Sequence, residues 1–200
     1  MERQMVNNDG FINGIALPHQ LRYADFSLAM QDVYDFLFDV NTLLLQKGLE
    51  RLEDAIRPAI FTGMVSDMIS MYLARHSRAL VVNKYPNGHP DLIVKNHYAN
   101  DSVKGGTLGV EIKCTIKKGA AVDMHSNREQ WLCVFVYRPD KNTEPIINRS
   151  PTKFIEVYIA QTKANDYRRN ERGPRGTPTS TLHKDGLKKF REGLIYIDES

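Results

Sequence analysis

The chain has 200 residues, of which 42% are hydrophobic and 26% charged, and its formal net charge is +3. This length suits one compact domain with a hydrophobic core and is short for two. No apolar run approaches the roughly 20 residues that cross a bilayer, and the N-terminus lacks the basic and apolar stretches of a secretory signal. We therefore expect a single domain over residues 1–200 that is soluble, cytoplasmic and free of membrane partners.

The cysteine and histidine residues do not form a metal-binding pattern. Cys114 and Cys133 lie in apolar, strand-like runs, which is typical of buried, reduced side chains. The six histidines are scattered singly. The sequence therefore predicts no structural zinc site.

The charge is unevenly distributed along the chain. Residues 1–60 hold five Lys and Arg against nine Asp and Glu, whereas residues 161–191 hold nine against three. A basic C-terminal segment of this kind is suited to contact with phosphates.

Three helices are predicted before residue 77. Apolar residues recur at helical spacing, with Asp25 or Ser27 as the N-cap of the first helix and Gly48 as its end. Pro58 ends the second helix. The apolar stripe of the first helix fits the core of the monomer or a contact between two copies. The predicted ranges are 25–46, 49–57 and 60–76.

Strands dominate the rest of the predicted chain. A short helical patch is expected at 126–130, an extended basic loop at 163–180, and a helix at 183–192. This order predicts an α/β (α+β) fold with a mixed central β-sheet flanked by helices. The core would cover about 60–160, between N-terminal helices at 25–57 and a basic segment at 161–200. The predicted strands are 79–83, 91–95, 107–116, 132–137, 154–160 and 194–198.

Two neighbouring predicted strands carry charged side chains that we expect to lie close together. Residues 89–95 read His-Pro-Asp-Leu-Ile-Val-Lys, and residues 109–114 read Gly-Val-Glu-Ile-Lys-Cys. Because side chains alternate along a strand, Glu111 and Lys113 share one face. If the two strands pair, Asp91 lies about one strand spacing, roughly 4.8 Å, from Glu111.

Such a group of side chains is suited to a divalent metal. Two adjacent carboxylates repel each other unless a cation lies between them, and an all-oxygen site completed by water and phosphate suits Mg²⁺. Asp91 and Glu111 are the predicted metal ligands. The neighbouring Lys113 is expected to orient or deprotonate an attacking water, or to stabilise the transition state of phosphodiester hydrolysis.

The motif Pro90-Asp91 followed by Glu111-x-Lys113 resembles the PD-(D/E)xK nuclease superfamily, over roughly residues 60–137. The resemblance implies a restriction-endonuclease-like core, catalysis by Asp91, Glu111 and Lys113, and Mg²⁺-dependent hydrolysis that leaves a 5′-phosphate. Members of this superfamily often carry a further acidic residue on the preceding helix. Asp67 is the matching position here and a possible third metal ligand, although Glu is the usual residue type.

Two further segments contain residue types that bind DNA. Residues 125–131 hold side chains able to read base edges, and they fit either a recognition segment or an ordinary surface loop. The Arg-rich loop at 163–180 fits either phosphate binding or a solvated loop. The candidate DNA-binding residues are Lys117, Lys118, Asn127, Arg128, Gln130, Arg168, Arg169, Arg172 and Arg175.

The sequence therefore predicts a type II site-specific deoxyribonuclease, a Mg²⁺-dependent enzyme that cleaves double-stranded DNA. A homodimer is expected because cutting both strands of a duplex requires two copies of one active site. Two alternatives stay open at this point. One is a structure-selective repair nuclease or junction resolvase, and the other is a noncatalytic DNA-binding protein with a nuclease-like fold.

Overall fold

The computed structural model describes residues 1–124, 127–170 and 179–199. Within these residues the α-helices are Tyr23–Gln46 (α1), Leu52–Ala55 (α2), Pro58–His76 (α3) and Lys184–Arg191 (α4). The strands are Leu80–Val82 (β1), Leu92–Val94 (β2), Gly109–Thr115 (β3), Asp123–Met124 (β4), Gln130–Arg138 (β5), Lys153–Thr162 (β6), Tyr167–Asn170 (β7), Thr179–Leu182 (β8) and Leu194–Ile197 (β9).

The central sheet is mixed, as the sequence predicts. Its strand order is β1-β2-β3-β5-β6-β9. In the described part of the chain, β3 and β5 are parallel, and the other neighbouring strands of this sheet are antiparallel. The hairpin β1–β2 and the pairing of β2 with β3 confirm the arrangement on which the candidate site depends.

Helices α1 and α3 cover one face of the central sheet. Val110, Ile112 and Cys114 point from β3 into this layer, together with buried residues of both helices. Every second residue of β3 is thus used for the main core, and the residues between them face the other side. Cys114 and Cys133 are free and buried, as predicted.

The opposite face of the sheet carries a second, smaller sheet and α4. This second sheet has the order β4-β8-β7 and packs over Leu132, Val134 and Val136 of β5. The prediction of an extended loop at 163–180 is wrong for β7 and for the beginning of β8, because these strands pair with each other. Residues 171–178 lie outside the described residues.

Three predicted boundaries change in the helical part. The N-cap of α1 is Arg22, and Asp25 lies at the third helical position, where its carboxylate accepts a hydrogen bond from the Arg22 backbone N–H at 2.9 Å. Gly48 follows α1 with a positive φ of 69°, which suits glycine after a helix end. The second helix contains only four residues, and Pro58 begins α3.

The predicted helical patch at 126–130 is wrong for the residues that the structure describes. Asn127 to Glu129 are neither helix nor strand, and Gln130 is the first residue of β5. Ser126 lies outside the described residues. Among the helices of the described ranges, none has the length and apolar character needed to cross a membrane.

Candidate functional site

Asp91 and Glu111 meet where β2 begins beside the longer strand β3. Leu92 pairs with Val110, so the antiparallel register brings the preceding residue, Asp91, opposite Glu111. Strand β2 begins at Leu92, so it has no residue that pairs with Ile112 of β3. The Asp91 carboxylate binds the Ile112 backbone instead: its Oδ2 accepts a hydrogen bond from the Ile112 N–H at 2.8 Å.

Glu111 and Lys113 project from the same face of β3, as the sequence predicts. Lys113 Nζ lies 2.5 Å from Glu111 Oε1 and 3.9 Å from Asp91 Oδ2. The exposed fraction is 9% for the Glu111 side chain and 26% for that of Lys113. The ammonium group therefore balances two carboxylates in a half-buried setting, where charge interactions are stronger than in water.

His89 is a further member of the site, which the sequence reasoning did not include. Its Nδ1 lies 2.8 Å from Glu111 Oε2. This is an ion-pair distance, but Oε2 is buried without a hydrogen-bond partner of suitable geometry in the described residues. Glu111 thus contacts Lys113 through Oε1 and His89 through Oε2. The position of His89 directly before Pro90-Asp91 was the signal in the sequence that could have pointed to it.

The two carboxylates differ in acidity. Burial and the nearby charge of Glu111 raise the pKa of Asp91 to about 6. Burial also acts to raise the pKa of Glu111, but the contact with His89 and the charge of Lys113 outweigh it and lower that pKa. Burial acts to lower the pKa of Lys113, but the charges of Glu111 and Asp91 prevail and raise it. Lys113 is therefore an ammonium ion at neutral pH.

Asp67 lies apart from these residues. It is exposed on α3 and lines a shallow groove with Met64 and Met71. Helix α3 packs against the face of β3 that carries Ile112 and Cys114, on the opposite side from Glu111 and Lys113. In residues 1–124, 127–170 and 179–199, no cluster of three or more His, Cys, Asp or Glu side chains is arranged to hold a metal ion.

A cavity of about 250 Å³ adjoins the site on the side of the second sheet. Lys113 and Lys117 line it from β3 and the turn that follows, and Thr181 lines it from β8. Arg168 lies opposite Thr181 in the second sheet and donates a hydrogen bond to its hydroxyl group at 3.5 Å. Two cationic side chains, those of Lys113 and Lys117, thus line this hollow, and Arg168 contacts one of its other lining residues.

The remaining candidate DNA-binding residues are in varied environments. Lys118, Asn127 and Arg169 are exposed, and Arg128 is half-buried. Gln130 is 5% exposed, and its side chain donates a hydrogen bond to the Tyr167 hydroxyl, so it belongs to the interior. Arg172 and Arg175 lie outside the described residues.

The carboxylates and Lys113 form a compact group on one face of a sheet, beside a hollow with cationic side chains. Comparison with known proteins adds no relative: no family model, no curated protein and no solved structure matches this chain.

Proposed function

We propose that this protein is a Mg²⁺-dependent endonuclease that hydrolyses phosphodiester bonds of double-stranded DNA, in the manner of type II restriction enzymes. The observation that carries the proposal is the convergence of Asp91, Glu111 and Lys113, from two paired strands, on one half-buried face. The order Pro90-Asp91, then Glu111-x-Lys113, is the order of the PD-(D/E)xK motif that these residues resemble.

The arrangement of the strands is consistent with a restriction-endonuclease-like core. Helix α3 precedes an antiparallel series β1-β2-β3, and β5 then runs parallel to β3. The motif residues lie at the junction of β2 and β3, as the resemblance implies. We propose this core on the combination of motif and strand order.

The carboxylates fit a Mg²⁺ ion. They supply oxygen ligands only, which Mg²⁺ prefers, and the ion would replace His89 as the partner of Glu111 Oε2. Two protein carboxylates leave several positions to water and to the substrate phosphate, as is usual for this ion. When bound, Mg²⁺ would neutralise charge that develops on the scissile phosphate.

The side chains of the site have different proposed roles. Asp91 and Glu111 would hold the ion, and the Ile112 N–H would keep the Asp91 carboxylate in orientation. Because Lys113 carries its proton at neutral pH, its ammonium group orients the attacking water and stabilises negative charge on the phosphate, rather than accepting a proton.

The substrate would lie over the hollow between the two sheets. Lys117, Lys118 and Arg168 are the proposed phosphate contacts: Lys117 lines the hollow, Lys118 is its exposed neighbour, and Arg168 contacts Thr181, which also lines the hollow. Asn127 and Arg128 are the proposed base-reading residues. Cleavage of both strands would require a second copy of the site, and we propose a homodimer for this reason.

The proposal is tested by incubating plasmid and phage DNA with the purified protein, in the presence of Mg²⁺ or EDTA. A Lys113→Ala variant should lose at least ~100-fold of the cleavage rate, the usual effect of removing one group that stabilises transition-state charge. The matched control is Lys47→Ala, an exposed lysine that follows α1. This control should cleave as the wild type does.

Discrete, Mg²⁺-dependent fragments that are absent with Lys113→Ala would support a sequence-specific endonuclease. Cleavage confined to branched or nicked substrates would instead favour a repair nuclease or resolvase. Intact DNA with every substrate, together with no Mg²⁺ binding by calorimetry, would overturn the proposal and favour a noncatalytic DNA-binding protein.

A further inference from the structure

The side chain of Asn83, directly after β1, makes hydrogen bonds with three separate pieces of backbone. Its Nδ2 donates to the Pro90 carbonyl at 3.0 Å and to the Val103 carbonyl at 2.8 Å. Its Oδ1 accepts from the Tyr85 N–H at 3.1 Å and from the Val103 N–H at 3.0 Å. Both donors and both acceptor positions of the amide are therefore used.

These bonds replace regular secondary structure in the segment that leads to Asp91. Residues 83–91 contain no helix and no strand, and neither do residues 102–108 beside them. Gly88 shows how closely the two pieces pack, because a Cβ at this position would lie 2.5 Å from both Asn83 Nδ2 and the Val103 carbonyl oxygen. Without the Asn83 amide, the four hydrogen bonds that it makes with this backbone, three of them half-buried, would be lost.

The segment that Asn83 organises carries two residues of the candidate site. Asp91 itself is linked to Asn83, whose backbone N–H donates to the Asp91 carbonyl at 2.9 Å. His89 is fixed in the same way to the neighbouring loop, since its N–H donates to the Lys104 carbonyl at 3.1 Å and its carbonyl accepts from Gly106 at 2.6 Å. From this loop, Asp91 reaches the Ile112 N–H and His89 reaches Glu111.

We propose that Asn83 is the positioning residue of the site: it holds the segment from which Asp91 and His89 reach the edge of β3. Asn83 has no contact with Glu111 or Lys113 among the described hydrogen bonds, so it acts through the backbone of Pro90 and Asp91. The inference rests on the proposed function in one respect only, namely that the carboxylate thus positioned is a Mg²⁺ ligand.

The experiment compares Asn83→Ala with Asn41→Ala. Asn41 is a matched control because its amide is also enclosed and also makes structural bonds, donating to Glu53 and accepting from the Leu52 N–H, each at 2.8 Å. It lies on α1, where its side chain contacts α2, away from the site. Both variants should lower the melting temperature, so stability alone cannot distinguish them.

The first readout uses the metal-free protein. The Ile112 N–H reports on Asp91, since its hydrogen-bond acceptor is the Asp91 carboxylate. We expect its hydrogen exchange to be about ten-fold faster or more in Asn83→Ala, relative to neighbouring core amides, and unchanged in Asn41→Ala. Equal exchange of the Ile112 N–H in the wild type and in Asn83→Ala would overturn the inference.

The second readout is the affinity for Mg²⁺ alone, measured by calorimetry. Asn83→Ala should weaken it roughly 10-fold to 100-fold, as is typical when the support of a metal ligand is removed, and Asn41→Ala should leave it unchanged. If the wild type binds no Mg²⁺ while the Ile112 result is as expected, the proposed function fails and the positioning role stands. If Mg²⁺ binds equally well to the wild type and to Asn83→Ala, the positioning role fails.

Discussion

Asp140 is a carboxylate that acts far from the candidate site, at the start of the connection between β5 and β6. Its Oδ1 accepts hydrogen bonds from the Asn142 and Thr143 N–H groups, each at 3.1 Å, and its Oδ2 accepts from the Ser150 N–H at 3.0 Å. A further hydrogen bond from the Thr143 side chain has the largest effect on the acidity of Asp140. Together with the backbone bonds, it holds the pKa of Asp140 well below its usual range. The ionised form therefore stabilises this connection.

The sign of the pH effect follows from the lowered pKa. A carboxylate whose pKa is depressed on folding contributes stability above its unfolded pKa, about 3.9, and loses that contribution as the pH falls through the folded value. In Asp140→Asn the amide keeps the bonds of Oδ1 and loses the bond to Ser150. We expect a loss of about 1 kcal/mol in the free energy of unfolding at pH 7, measured with urea.

The difference between wild type and Asp140→Asn should shrink below about pH 4, because the Asp140 carboxyl group is then increasingly protonated in the unfolded wild-type chain while it is still ionised in the folded one. A difference that stays constant from pH 7 to pH 3 would contradict this account, since it would mean that the ionised carboxylate has no special role.

At the same scale, the sequence predicts part of the site and not all of it. Glu111 and Lys113 follow from the two-residue period of a strand, and Asp91 follows from the pairing of adjacent strands. These are local patterns. His89 and Asn83 do not follow from such patterns, because their contacts depend on how residues 101–106 return beside them after a loop. The spacing of residue types along the sequence does not predict that loop geometry.

Helix α1 depends at its N-terminus on Asp25. The carboxylate of Asp25 is fully buried, and it bonds both the backbone N–H and the guanidinium group of Arg22. Asp25→Ala would leave the Arg22 N–H, at the start of α1, without its hydrogen-bond acceptor. We expect this to lower the free energy of unfolding by about 1–2 kcal/mol. Asp39→Ala is the matched control on the same helix.

The Asp39 side chain is 69% exposed and pairs with Arg3 on the surface, so its removal should change stability by less than about 0.5 kcal/mol. Urea unfolding followed by circular dichroism measures both variants. Equal losses in the two would show that the buried bonds of Asp25 are no stronger than a surface ion pair.

Among the elements, helices with a full apolar stripe and the long strands are predictable from sequence, whereas β7 and β8 are not. The residues around them are rich in Arg, Gly, Pro and Thr, a composition typical of loops. These two strands exist because each pairs with the other and packs on the face of the central sheet. Helix α2 is shorter than its pattern indicates, because Arg51 and Ile56 at its two ends are extended, as is Arg57, which precedes a proline.

At the scale of the whole molecule, the proposed DNA contact can be tested through its dependence on salt. Arg168 and Arg169 are neighbours on β7, so their side chains leave opposite faces of the second sheet. Only Arg168 pairs with Thr181, which lines the hollow beside Lys113. We therefore expect only Arg168 to contact a phosphate of DNA bound there.

Binding of a duplex by the Lys113→Ala protein is measured as a function of salt concentration. Adding Arg168→Ala should reduce the slope of log K against log[salt] by roughly 0.9, the value for one lost phosphate contact. Adding Arg169→Ala changes the net charge equally and should leave the slope nearly unchanged. Equal reductions would assign the effect to overall charge rather than to the hollow.

The parallel pairing of β3 with β5 has a consequence for how such a protein can diverge. Parallel neighbours cannot be joined by a tight turn, so the chain must cross over between them, and residues 116–124, the described first part of this connection, lie on the side of Glu111 and Lys113. The connection contains Lys117, Lys118, Asn127 and Arg128, yet it contributes no strand to the ladder that fixes Asp91 opposite Glu111. Apart from β4 and the buried Ala120, its sequence is therefore free to change between descendants of one ancestor, which could acquire new partners while inheriting the same chemistry.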